Sequence, residues 1–91
     1  SDMPEVRVNI VNAAGMHARP ASEFVRLAGG FACEVRVEKD GLEVNGKSIM
    51  GVLMLAAEQG SELAIRADGS DAEQALEALR ALVASGFGED A

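Results

Sequence analysis

Val6, Val8 and Ile10 alternate with Glu5, Arg7 and Asn9, a period of two that gives a strand one dry face and one wet face. The same alternation returns in Phe31, Cys33, Val35 and Val37, and again in Leu63, Ile65 and Ala67. Asp40-Gly41 is a hairpin turn pair, after which Leu42 to Val44 forms a short return strand. A sheet made of such strands has one face to cover, and the intervening segments supply helices to cover it. Pro20 suits a first helical turn, so a helix starting at Pro20 carries Ala21, Phe24, Val25 and Ala28 on one side and stops at Gly29-Gly30. Ser48 can cap a second helix, Ile49 to Ala57, by bonding the amides of Met50 or Gly51, with Gly60 beyond it as a stop. Ser70 or Asp71 caps a third, in which Ala72, Ala75, Leu76, Leu79, Leu82 and Val83 recur at helical spacing. The order β-α-β-β-α-β-α predicts an α+β fold, an open-faced two-layer sandwich with an antiparallel four-stranded sheet and three helices on one face.

At 91 residues the chain suits a single domain. Its ordered core is expected to run from about residue 5 to 84, with the closing Gly-Phe-Gly-Glu-Asp frayed. Ser1 and Asp2 ahead of Met3 are compatible with a cloning remnant. Eight basic against fifteen acidic residues give a formal charge of −7, which disfavours nucleic acid or an anionic membrane as partner. Trp and Tyr, the usual base-stacking platforms, are absent. No apolar run approaches the roughly 20 residues of a membrane span. The one cysteine, Cys33, cannot pair within the chain, and no charged stretch leads into an apolar signal segment, so a cytoplasmic setting is expected. Cys33 itself reads as a buried packing thiol on the inward side of its strand.

The only histidine, His17, stands in Gly-Met-His-Ala-Arg-Pro-Ala-Ser, residues 15 to 22. A lone imidazole is usually an ordinary polar side chain. This one follows a glycine turn and directly precedes a helix, where free backbone N–H groups and the positive end of the dipole favour an anion. Arg19 adds a cation whose forked donors match phosphate oxygens, and Pro20 contributes a preset φ without a competing donor. The residue types therefore suit a phosphoryl group on the ring, held by Arg19 and by the backbone amides of Ala18 and Arg19. For Arg19 the plainer alternative is a solvated surface charge.

On these residues, Gly15 to Ala21 resembles the phosphorylation motif of HPr, the histidine-containing phosphocarrier family of bacterial phosphotransferase systems. A second segment, Gly46-Lys47-Ser48-Ile49-Met50-Gly51-Val52, is similar to that family's regulatory-serine region, and the element order matches from residue 5 to 84. The resemblance implies that His17 accepts a phosphoryl group on Nδ1 from phosphoenolpyruvate-charged enzyme I and passes it to a histidine of a IIA-type acceptor. It also implies regulatory phosphorylation at Ser48 by a kinase or phosphorylase, no cofactor and no metal, a working monomer, and no turnover of a small molecule by the chain alone. Asn12-x-x-Gly15-Met16-His17, the run Leu53 to Ala57 and Ser85-Gly86-Phe87 resemble the nitrogen-related branch, NPr. Ala13 and Ala14 stand where some members carry polar residues that steady the ring, so what orients His17 is open.

Met50 and Met54, with Ile49 and Leu53, spread around the short second helix, so part of it must face solvent. An apolar, Met-containing patch suits a surface that docks successive partners. The expected contact zone takes in Met16, Pro20, Ser22, Arg26, Lys47, Ile49, Met50 and Leu53, locally basic because Arg26 lies two helical turns from Arg19, with Glu73, Glu77, Glu89 and Asp90 elsewhere. Two other classes compete. Gly41 to Ser48 fits the Walker A pattern letter for letter, although Leu42-Glu43-Val44 alternates as a strand and no apolar strand ending in Asp follows it to hold magnesium. A non-catalytic α+β binding module would use His17 and Ser48 merely as caps.

Overall fold

The computed structural model of the chain describes residues 3–91; the reading of Ser1 and Asp2 as a remnant lies outside them. Strands β1 (Glu5–Asn9), β2 (Glu34–Lys39), β3 (Leu42–Asn45) and β4 (Glu62–Asp68) alternate with helices α1 (Ala18–Gly29), α2 (Ile49–Met54) and α3 (Ala72–Ala84), followed by a 3-10 turn at Gly86–Gly88. The sheet order is β1-β4-β2-β3, antiparallel throughout. Registers Val6↔Ile65, Val8↔Leu63, Val35↔Ala67 and Val37↔Val44 bring the apolar sides of the strands to one face. There Ile65, Leu63, Val35 and Val37 are fully buried under the helices with Phe24, Val52, Leu79 and Val83. Truncating Phe24 to Ala would cost about 3–5 kcal/mol by transfer and cavity terms. The opposite face is ionic: Arg66 on β4 donates to Glu5 on β1, Glu38 on β2 and Glu43 on β3.

The hairpin turn forms as its residues require, with Asp40 and Gly41 both at positive φ, 52° and 86°, the signature of a type I′ turn. Several boundaries move for tertiary reasons. Helix α1 begins at Ala18, two residues before Pro20, because an N–H at the third helical position has no intrahelical partner for proline to remove; the first bond of the ladder is Ala21 N–H to the His17 carbonyl, 3.0 Å. Helix α2 stops at Met54, three residues before the expected Ala57. Ala56 turns to φ +50, which frees the Ala57 carbonyl to accept from the Met16 N–H at 2.8 Å. Cys33 is buried as expected, but in the bend before β2. Asp71 sits at the start of α3 without capping it by its side chain. Its carboxylate accepts instead from the amides of Ala32 and Cys33, at 2.8 and 2.9 Å. Burial pushes the Cys33 thiol above its ordinary value and the Asp71 carboxylate adds to that, which keeps it protonated and unreactive.

The closing segment is not frayed. Phe87 is buried in the core at φ +57 between Gly86 and Gly88, also at positive φ, and the Ala13 N–H donates to the Asp90 carbonyl at 3.0 Å. An aromatic residue in the left-handed region costs about 1–2 kcal/mol, which burial of its ring offsets.

Candidate functional site

The loop from β1 to α1 is built by two devices. Asn12 is wholly buried, and its Nδ2 donates to the Gly15 carbonyl at 2.9 Å. Gly15 has φ +70, and a Cβ there would stand 2.6 Å from the Ala57 carbonyl oxygen, so only glycine allows the loop to press against the end of α2. That contact sets His17 at the N-cap of α1 in extended conformation.

A histidine in that position does not satisfy the helix amides. The ring makes no capping bond, and among the described residues the Ala18 and Arg19 amides have no hydrogen-bond acceptor. The imidazole turns instead to Glu89, whose carboxylate oxygens lie 2.9 and 3.1 Å from Nε2. Glu89 also accepts from Asn12 Nδ2 at 3.0 Å and from Arg19 Nε and Nη2 at 3.1 and 2.5 Å. Arg19 donates further to Glu23, one turn along, and to the Phe87 carbonyl. Burial works to raise the Glu89 carboxyl; hydrogen bonds from Arg19, Asn12 and His17 outweigh it and hold it below the usual carboxylate value. The side chains of His17 and Arg19 remain 43% and 48% exposed, against 19% for Glu89, so the ring is open to a partner while its carboxylate is sheltered.

The expectation that Glu89 and Asp90 lie away from the site is thus overturned. The physical cause is the strand order: β1 lies next to β4, α3 returns from β4, and the turn after α3 ends over the β1–α1 loop. Glu23 and Glu89 pair with Arg19, which leaves the expected basic character of the contact zone to Arg26 and Lys47. Met16 and Pro20, expected to meet partners, are buried and brace the loop from beneath. Lys47 donates to the Phe31 carbonyl at 2.7 Å, a structural tie. Ser22 is half-buried on α1, and Arg26 is exposed in its last turn beside a shallow groove with Glu23, Leu27 and Leu82. Ile49, Met50, Leu53 and Met54 leave an apolar patch in which Met50 and Met54 are 68% and 64% exposed. Ser48 accepts from the Gly51 N–H at 3.1 Å. The Walker A letters fall on β3 and on the cap of α2, with no loop to cradle phosphate. No group of three or more metal-ligating side chains gathers among the described residues, and no helix there is long and apolar enough to cross a membrane.

Residues 4–85 match the family model PTS-HPr, described as the PTS HPr component phosphorylation site. The chain belongs to the PTS-HPr family. Within it, the phosphocarrier protein HPr of Cupriavidus necator is 46% identical over 80 residues, covering 88% of this chain and 90% of that protein. The crystal structure of HPr-C-His from Thermoanaerobacter tengcongensis superposes with a TM-score of 0.93 at 46% identity, covering 98% of this chain and all of the other. Crh of Bacillus subtilis, whose crystal structure is described as a swapped dimer, superposes at 0.74 with 43% identity over 94% of both chains. The four-stranded antiparallel sheet with three helices is accordingly the HPr fold. Asn12 and Glu89 are the members of this HPr-family site that residue type did not single out for chemistry.

Proposed function

We propose that this HPr-family chain is a phosphocarrier in which His17 Nδ1 accepts a phosphoryl group from phosphoenolpyruvate-charged enzyme I and yields it to a histidine of a IIA-type acceptor. The observation that carries the reading is a helix start whose capping side chain is turned away, leaving the Ala18 and Arg19 amides unpaired beside an exposed imidazole. Phosphoryl transfer passes through a loose transition state, so the protein chiefly positions oxygens and offsets their charge. Amides at a helix N-terminus and the Arg19 guanidinium supply both functions. Since each of the three Arg19 guanidinium nitrogens is engaged in the resting site, Arg19 exchanges a carboxylate for phosphoryl oxygens when His17 is charged. The apolar patch of Ile49, Met50, Leu53 and Met54 is the docking surface, and Ser48 beneath it is the regulatory position for a kinase or phosphorylase. On this reading the chain works as a monomeric cytoplasmic carrier; the residues 53–57 and 85–87 favour the nitrogen-related branch.

Incubation with enzyme I and phosphoenolpyruvate should add one phosphoryl group by mass, labile in acid and stable in base, as a phosphoramidate requires. An acid-stable group would move the site to a hydroxyl and overturn the reading. Elution as a dimer under the same conditions would replace the monomer with an assembly of the kind described for Crh.

A further inference from the structure

The carboxylate of Glu89 touches the one ring nitrogen that the carrier reaction leaves unused. An ionised carboxylate has acceptors only, so Nε2 in the neutral imidazole must carry the proton and Nδ1 the lone pair. We propose that Glu89 is a positioning residue for phosphoryl transfer: it selects the Nε2–H tautomer, presents Nδ1 as the nucleophile, and balances the positive charge that the ring gains as the new bond forms. This rests on the reading of His17 as the acceptor.

The step balances without a proton leaving. The Nδ1 lone pair forms the N–P bond, the donor's P–N bond breaks, and its electron pair returns to the donor's ring nitrogen. The His17 ring, now substituted on Nδ1 and still protonated on Nε2, becomes cationic, with Glu89 already on the charged N–H. The logic is that of a carboxylate behind a catalytic imidazole, which holds the tautomer and stabilises the imidazolium without taking the proton. Here the carboxylate comes from a segment outside every regular strand and helix, and the structure locks it there. Asn12 Nδ2 and Arg19 fix both carboxylate oxygens, the Phe87 carbonyl accepts from Arg19 at 3.1 Å, and the Phe87 ring is buried in the left-handed conformation that this turn requires. Strain of that kind is retained where the surroundings over-determine it.

Glutamine is the discriminating replacement. It keeps the shape but offers both donors and an acceptor, so it accommodates either tautomer and carries no charge. In the full chain, long-range 1H–15N NMR of His17 at a pH where the ring is neutral should show Nε2–H in the wild type and a mixture in Glu89→Gln and Glu89→Ala. Glu89→Asp should recover much of the preference. Phosphorylation by phosphoramidate, a small donor that needs no docking, should slow about tenfold in Glu89→Gln, the scale of one charge-assisted hydrogen bond, and part of the product should move to Nε2. An unchanged tautomer and rate in Glu89→Gln would overturn the proposal, as would a loss of thermal stability with the tautomer intact, which would make Glu89 only an anchor for Arg19 and the C-terminal turn. Wild type that takes no phosphoryl group on His17 from either phosphoramidate or enzyme I would instead overturn the carrier reading itself.

Discussion

Helices α1 and α2 start alike and end up with opposite duties. Both N-cap residues are extended, His17 at φ −81, ψ −168 and Ser48 at φ −111, ψ 117. Ser48 closes its helix by accepting from the Gly51 amide, whereas the His17 ring turns to Glu89 and leaves its helix open. A satisfied helix start contributes stability; an unsatisfied one holds donors and a partial positive charge ready for an anion. In the proposed carrier, the difference separates His17, arranged for transfer, from Ser48, whose modification would act on what docks beside it.

The strongest way to break this contrast is His17→Ala. The side chain lies outside the core and caps nothing, so the variant should melt near the wild-type temperature and take up no phosphate from enzyme I. Label that persists in it would show that the open helix start is not the acceptor. Arg19→Ala is next: loss of a charged donor to the transferring group should slow transfer roughly ten- to a hundredfold, measured by rapid quench with both donor and acceptor. Equal rates would reduce Arg19 to a tether for Glu23, Glu89 and the Phe87 carbonyl.

At α2 the expected effects are smaller and split between fold and partner. Ser48→Ala should lose about 1 kcal/mol with the cap and transfer phosphate nearly normally. Ser48→Asp should keep the cap and the melting temperature but weaken enzyme I binding by setting a negative charge beside Ile49, Met50 and Leu53. Titration calorimetry beside thermal melts separates the two, and wild-type affinity in Ser48→Asp would leave Ser48 a structural cap alone.

The smallest effect is acidic loosening of the turn that carries Glu89. Its carboxyl is held below the ordinary 4.5, so its contribution is fully present above that value and is lost as pH falls through the lower folded-state value. Amide exchange at Phe87 and Gly88 should accelerate only below about pH 4.5, and Glu89→Gln should remove that dependence. The same acceleration in Glu89→Gln would assign it to another carboxylate, Asp71 among them, whose bonds from the Ala32 amide also hold it low.

Much of the architecture was legible from local pattern. Alternation at Val6, Val8 and Ile10, the Asp40-Gly41 pair and the Ser48 cap each concern residues close in sequence, and each forms as its chemistry requires. His17 could be singled out for the same reason, since a glycine turn, a helix start and an arginine sit within five residues of one another. The departures all involve distant partners: α2 ends early because Ala57 meets Met16, and Asp71 abandons its own helix for Ala32 and Cys33.

The sequence by itself determined the kinds of element, their order, the dry face of each strand and the candidate nucleophile, His17, because periodicity and capping act over a few residues. Only the tertiary structure decided which carboxylate stands behind that nucleophile. Glu89 is 72 residues from His17 along the chain, in a Gly-rich end with no periodicity to read. It arrives there because β1 pairs with β4, so that the turn after α3 closes over the β1–α1 loop, and because a buried Phe87 and the donors of Asn12 and Arg19 hold it in place.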